Sequence, residues 1–146
     1  MPPSTAHSQQ SVFPARLRAL ADAEAFARGF ADLQKLAHGD AMRLTLVIEE
    51  LFTNTVKHGY GNETDSPVRI ALDILDGSVR ILYEDWAPRY DPLARFSVAP
   101  PSLEAPAAER SPGGLGAYLV GQLVTDARYA YEGGINRLWL TLRQGG

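Results

Sequence analysis

The chain has 146 residues, 45% of them hydrophobic, which suits one ordinary domain with its own core and excludes a mini-protein held together by staples. Its 14 Lys and Arg stand against 17 Asp and Glu, a net charge of -3, so there is no basic field for nucleic acid or anionic lipid and neither is expected as a partner. With no cysteine and three histidines far apart (His7, His38, His58), a disulfide framework, a thiolate metal site and a cysteine nucleophile are all excluded. Residues 1–10 lack the basic and then apolar pattern of a secretory signal, and no apolar run approaches the roughly 20 residues of a membrane span. A soluble, cytoplasmic protein is the expectation.

Residues 1–10, polar and proline-bearing, read as a disordered start, with residues 11–146 as a single domain. Residues 11–17 suit a short edge strand interrupted by Pro14. Asp22 is a plausible N-cap for a first helix in which Phe26, Phe30, Leu33 and Ala37 recur at helical spacing, with Gly39 as its stop. Asp40 suits the cap of a second helix, whose stripe is Leu44, Val47, Ile48, Leu51, Phe52 and Thr55, ending before Gly59. Val68, Ile70, Leu72 and Ile74 then alternate with polar residues, as do Val79, Ile81 and Tyr83, and Asp76-Gly77 between them signals a hairpin. Residues 86–112 hold six of the ten prolines and read as a long functional loop, a lid at about 91–112. Gly113-Gly114-Leu115-Gly116 opens a helix with Leu115, Leu119, Gln122 and Leu123 on one face. Strands at 127–132 and 136–143, joined by Gly133-Gly134, close the chain. This order predicts an α/β two-layer sandwich, a mainly antiparallel mixed sheet with helices packed on one face.

Three constellations suggest chemistry. Glu50 and Asn54, four residues apart, share one face of the second helix, with Glu49 turned to the other flank. Together they could hold a hydrated Mg²⁺ and orient a hydroxyl, or they could be an incidental polar pair on a solvated face. Asp85 continues the period of two from Val79, Ile81 and Tyr83, so its carboxylate belongs on the core side. There it could read the exocyclic amine of a purine, or serve as a turn residue before Pro88. The glycines of 113–116 could offer backbone amides and a helix dipole to phosphate oxygens, or simply join loop to helix. Neither a P-loop nor a G-x-G-x-x-G fingerprint is present.

In this order the constellations resemble the GHKL ATP-binding superfamily, which includes gyrase-type ATPases, histidine kinases and mismatch-repair proteins. More specifically, Glu49-Glu50-Leu51-Phe52-Thr53-Asn54-Thr55-Val56-Lys57-His58-Gly59, Asp85-Trp86-Ala87-Pro88-Arg89-Tyr90-Asp91-Pro92 and Gly113-Gly114-Leu115-Gly116-Ala117-Tyr118-Leu119-Val120 look like the three signature boxes of bacterial anti-sigma-factor serine kinases. The resemblance implies a histidine-kinase-like ATPase fold, ATP and Mg²⁺. It implies Glu50 as general base, Asn54 as the Mg²⁺ ligand and Asp85 as the reader of the adenine amine. Gly113, Gly114, Leu115 and Gly116 would line the phosphates, and Arg110 matches a lid arginine that approaches the terminal phosphate or a partner. His58 matches a common family position, although a capping or packing role is the favoured reading. Ala87 stands where the family carries glycine, adding a methyl near the nucleotide and penalising any positive φ. Trp86 could stack on a base or cover the sheet edge.

The implied function is a partner-switching kinase that phosphorylates a serine on a small antagonist protein and sequesters a sigma factor, with a homodimer as one assembly. The alternative is a regulatory module that holds nucleotide and a protein partner without transferring phosphate, which Ala87 favours.

Overall fold

The computed structural model describes residues 8–96, 114–143 and 145. Most of the expected disordered start, residues 97–112 of the expected lid, Arg110 and Gly113 therefore lie outside the described residues. Gln9 and Gln10 do not belong to a disordered start, because strand β1 spans Gln9–Pro14. It is an edge strand, paired antiparallel with β2 alone, where the missing N–H of Pro14 is tolerated.

Helix α1 spans Leu20–Leu33, so the expected cap Asp22 lies inside its first turn, where a carboxylate meets the positive end of the helix dipole. The helix stops well before Gly39. Lys35 takes a left-handed conformation (φ 56°), its N–H reaches the Asp32 carbonyl at 3.1 Å, and the Leu36 N–H reaches Ala31 at 2.9 Å. That pair of bonds is a Schellman motif with lysine in the position glycine usually takes. The buried face is Ala23, Ala27, Phe30 and Ala31, whereas Leu33 is 65% exposed and Ala37 caps the next helix. Phe26 packs edge-on against Phe13, the ring centroids 5.9 Å apart.

Helix α2 spans His38–Asn54, with Gly39 and Asp40 in its first turn instead of acting as stop and cap. Asp40 accepts hydrogen bonds from Arg43 at 2.8 Å and from the Gly145 N–H at 2.9 Å, tying the far end of the chain to this helix. The expected stripe from Leu44 to Thr55 is buried throughout. The helix then widens into a single π turn over Thr55–Gly59, with the Tyr60 N–H bonded to the Thr55 carbonyl at 2.8 Å.

Strands β2 (Pro67–Leu75) and β3 (Ser78–Asp85) form the expected hairpin, with Asp76 and Gly77 at φ 51° and 80°, the two positive values a type I′ turn requires. A short helix α3 (Leu93–Phe96), which was not expected, interrupts the proline-rich segment, its first N–H capped by Asp91 at 2.9 Å. Helix α4 (Gly114–Leu123) buries Val120 completely, while Leu119, expected on the inner face, is 39% exposed. Strands β4 (Val124–Glu132) and β5 (Ile135–Leu142) complete a five-stranded sheet in the order β1-β2-β3-β5-β4. All four pairings are antiparallel.

One sheet face, including Ile70, Leu72, Ile81, Tyr83, Leu138 and Leu140, buries against Phe30, Leu44, Ile48, Leu51 and Phe52 of the helices. The opposite face mixes polar residues with Ala71, Leu82 and Trp139 and carries one unusual charge. Glu84 is 3% exposed, flanked in register by Arg69 on β2 and Arg137 on β5, each donating a 2.8 Å hydrogen bond to a different carboxylate oxygen. The Arg69 guanidinium lies 5.7 Å from the Trp86 ring, so Trp86 covers this polar face and points away from Asp85.

Asn136 on β5 fixes the segment that follows β3. Its amide nitrogen donates to Asp85 Oδ1 at 2.9 Å and to the Ala87 carbonyl at 3.0 Å, while its oxygen accepts from the Tyr90 N–H at 3.2 Å and the Tyr129 hydroxyl at 2.6 Å. At 5% exposure the residue leaves these partners few substitutes in water.

Two predictions follow from these contacts. Burial pushes the Glu84 carboxyl up, but hydrogen bonds and charge from Arg69 and Arg137 outweigh it and hold the carboxyl below its ordinary value. The resulting stability is present in full above the unfolded carboxylate value of about 4.3 and is lost as pH falls through the lowered folded value. Glu84→Gln should therefore destabilise the neutral protein by about 1–2 kcal/mol, moderated because both arginines remain partly exposed, and should flatten the acid limb of stability against pH in denaturant melts. Asn136→Ala should cost about 2–3 kcal/mol by leaving several buried groups unpaired. It should also speed tryptic cleavage after the exposed Arg89 by freeing the segment around it.

Candidate active site

The site is built where the C-terminal end of α2 meets the end of β3. Asp85 is the last residue of β3 and 1% exposed, pointing inward as the alternation of Val79, Ile81 and Tyr83 requires. A buried carboxylate needs donors, and this one has four. Oδ1 accepts from Asn136 at 2.9 Å and from the Ala87 N–H at 3.2 Å. Oδ2 accepts from the Tyr90 hydroxyl at 2.7 Å and from Thr55 Oγ1 at 3.1 Å. Thr55 Oγ1 also lies 2.6 Å from the Tyr83 hydroxyl, which is itself 3.1 Å from the Leu51 carbonyl. The Thr55 and Tyr90 hydroxyl protons both point at the carboxylate, while Tyr83 donates its own to the Leu51 carbonyl.

Burial first, and then the negative charge of Asp85 among its neighbours, pushes the Tyr83 and Tyr90 phenols well above their ordinary value. Both therefore remain neutral donors at any working pH. Tyr60, also pushed up by burial, braces the same corner by donating to the Pro67 carbonyl at 2.8 Å and accepting from the Trp86 N–H at 3.0 Å.

Asn54 is the last residue of α2, 9% exposed and next in sequence to Thr55, the residue that bonds Asp85. Its amide nitrogen has no hydrogen-bond partner among the described residues. A half-turn of the amide exchanges its nitrogen and oxygen, so this position suits either a phosphate oxygen or a cation. Glu50, one turn earlier, is half-buried on the same helix face. Glu49 instead lines an outer groove with Arg28, Asp32 and His38, which separates the two glutamates as their spacing requires.

Ala87 is buried and its φ is not positive, so the methyl that replaces the family glycine carries no backbone strain. Gly114, Leu115 and Gly116 form the first turn of α4, the helix start expected of a phosphate-binding segment. His58 sits exposed in the π turn. Among the described residues no group of three or more His, Cys, Asp or Glu could hold a metal, so a divalent ion here would rely on Asn54 with oxygens supplied by a ligand, as Mg²⁺ commonly does.

Three residues of this network escape a reading of the sequence. Thr55 reads as the end of an apolar stripe, yet it is a polar partner of Asp85. Tyr90 belongs to no spacing rule, and neither it nor Asn136 is near Asp85 in a common element, because they reach it from a loop and from a distant strand. The strand alternation did place Asn136 inward with Leu138, Leu140 and Leu142, and an inward amide among leucines was the available signal.

Known proteins resemble this chain in sequence and in fold. The serine-protein kinase RsbW of Listeria innocua is 26% identical over 94 residues, covering 64% of this chain and 60% of that protein. RsbW of Bacillus licheniformis is 25% identical over 108 residues, covering 73% and 68%. The chain thus spans about 60–70% of the length of these relatives. Among solved structures, the RsbU and RsbW domains of a Mycobacterium tuberculosis protein superpose with a TM-score of 0.62 at 21% identity, covering 93% of this chain and 32% of that one. The SiaB-SiaC complex from Pseudomonas aeruginosa gives 0.62 at 12% identity, covering 92% and 88%. Both are likenesses of fold. The family model for the histidine kinase-like ATPase domain matches residues 13–142, nearly the whole chain, and the chain belongs to that family.

Proposed function

We propose that this chain is an ATP-dependent serine kinase that acts as a partner-switching regulator, phosphorylating a small antagonist protein and sequestering a sigma factor. The observation that carries the reading is the meeting of Asp85 with the end of α2, through the bond from Thr55, beside Asn54 and Glu50. Two of the motifs, far apart in sequence, are joined by this bond, which supports the resemblance to anti-sigma-factor serine kinases. The RsbW relatives and the structural likeness to a protein solved with its partner, SiaC, support the same reading.

In this reading Asp85 accepts the adenine amine, and its buried position makes a base without that donor costly to hold. Asn54 holds Mg²⁺, which supplies charge neutralisation for the phosphates. Glu50 takes the proton of the attacking serine hydroxyl. By the resemblance, Gly113, Gly114, Leu115 and Gly116 would present backbone to the phosphates, and Arg110 would act on the terminal phosphate or on a partner. Among the described residues no helix is long and apolar enough to cross a membrane.

ATP with Mg²⁺ should raise the melting temperature, since a ligand at one hundred times its Kd stabilises by about 2.7 kcal/mol. Unchanged melting at millimolar ATP contradicts nucleotide binding. With radiolabelled ATP and an antagonist protein carrying the acceptor serine, Glu50→Gln should keep the thermal shift and lose roughly 10²–10⁴-fold in phosphotransfer, while Glu49→Gln labels normally. A wild-type chain that binds ATP and labels no antagonist would make the non-catalytic module the correct reading.

A further inference from the structure

Asp85 is the residue that the proposed function assigns to the purine, yet its carboxylate already has a full set of donors from the protein. Tyr90 supplies the shortest of them, 2.7 Å from its hydroxyl to Oδ2. The phenol ring reaches that position only because residue 59 is glycine. A Cβ on Gly59 would stand 2.8 Å from Tyr90 Cε1 and 2.9 Å from its hydroxyl oxygen. The cavity bordered by Tyr83, Asp85, Tyr90, Tyr129 and Asn136 is about 10 Å³, the space of one water at most. A planar ring bearing a polar hydrogen therefore lies on the carboxylate that is expected to receive another planar ring bearing a polar hydrogen.

The attachment of Tyr90 is suited to release. Its side chain is only partly buried and lies outside the hydrophobic core, and its neighbours Arg89 and Asp91 are exposed, so the ring can rotate outward while the buried Ala87 and Pro92 hold the segment. Two bonds hold the hydroxyl, to Asp85 and to Thr55 at 3.0 Å, and one holds the backbone, from the Tyr90 N–H to Asn136. Thr55 and Asn136 stay on Asp85 when Tyr90 leaves, so only one acceptor position opens, enough for a single amine hydrogen.

We propose that Tyr90 is a self-inhibitory gate: its phenol occupies the base-reading face of Asp85, and adenine nucleotide enters only by displacing it. The apparent affinity is then the intrinsic affinity multiplied by the fraction of molecules with Tyr90 swung out. This inference rests on the nucleotide reading above.

The test compares the wild-type chain, Tyr90→Phe and Tyr90→Ala by calorimetric titration with ATP and Mg²⁺. The phenylalanine keeps the ring and loses its hold on the carboxylate, so ATP should bind roughly tenfold more tightly, the ratio expected when one hydrogen bond to a charged group no longer favours the closed form. A second readout uses 3-fluorotyrosine-labelled protein. The fluorine resonance of Tyr90, identified by its absence from Tyr90→Phe, should move toward that of an exposed tyrosine as ATP saturates. Equal or weaker ATP binding by Tyr90→Phe, or a Tyr90 resonance that stays in place when ATP binds, overturns the gate while leaving nucleotide binding intact. Binding by the variants but not by the wild type supports it in its strongest form. If none of the three proteins binds ATP, the nucleotide reading itself fails and the gate falls with it.

Discussion

A carboxylate removed from water at the end of the central strand is the constraint around which this fold is arranged. Asp85 cannot stay buried without donors, and no single element can supply four of them. They come from the π turn after α2, from the backbone just beyond β3, from the loop carrying Tyr90 and from β5. Satisfying one charge therefore fixes the relation of a helix end, two strands and a loop. The π turn belongs to the same solution, since Thr55 at its start is the point where α2 touches Asp85. Single wide turns recur at functional sites, and here the turn closes the helix while aiming Thr55 at Asp85.

The neighbouring residue meets the same constraint by opposite means. Glu84 faces the other side of the sheet, nearly as buried, and is compensated by two guanidinium groups in register on the adjacent strands. Asp85 is compensated by hydroxyl and amide donors instead. The difference matters chemically. Cations beside a carboxylate hold it in place for good, whereas neutral donors can be exchanged one at a time for those of a ligand.

Much of this plan was legible in the sequence because it depends on local periodicity. The long stripe of α2, the two turns at Asp76-Gly77 and Gly133-Gly134, and the inward placement of Asp85 all follow from spacings of 3.6 or 2. What was not legible depends on contacts across the chain or on exceptions to residue preference. The end of α1 was missed because Lys35, and not a glycine, takes the left-handed position. The inner face of α4 was misassigned from Leu119 to Val120 because a helix so rich in apolar residues has little contrast between faces. Thr55 was read as packing, and Tyr90 and Asn136 drew no notice, because their significance lies in a partner that only folding brings near. The backbone strain expected at Ala87 is absent because its φ is not positive, whereas the added methyl remains.

The position of β3 gives the site a divided character in time. Asp85 sits on the middle strand, paired with Val68 on one side and Asn136 on the other, so its backbone opens only when the sheet itself opens. Tyr90, five residues further on, is outside the ladder. Amide hydrogen exchange should therefore quicken from Asp85 toward the exposed Arg89, with the acceptor held by the whole sheet and its covering ring held, through the Tyr90 N–H, by the single amide of Asn136.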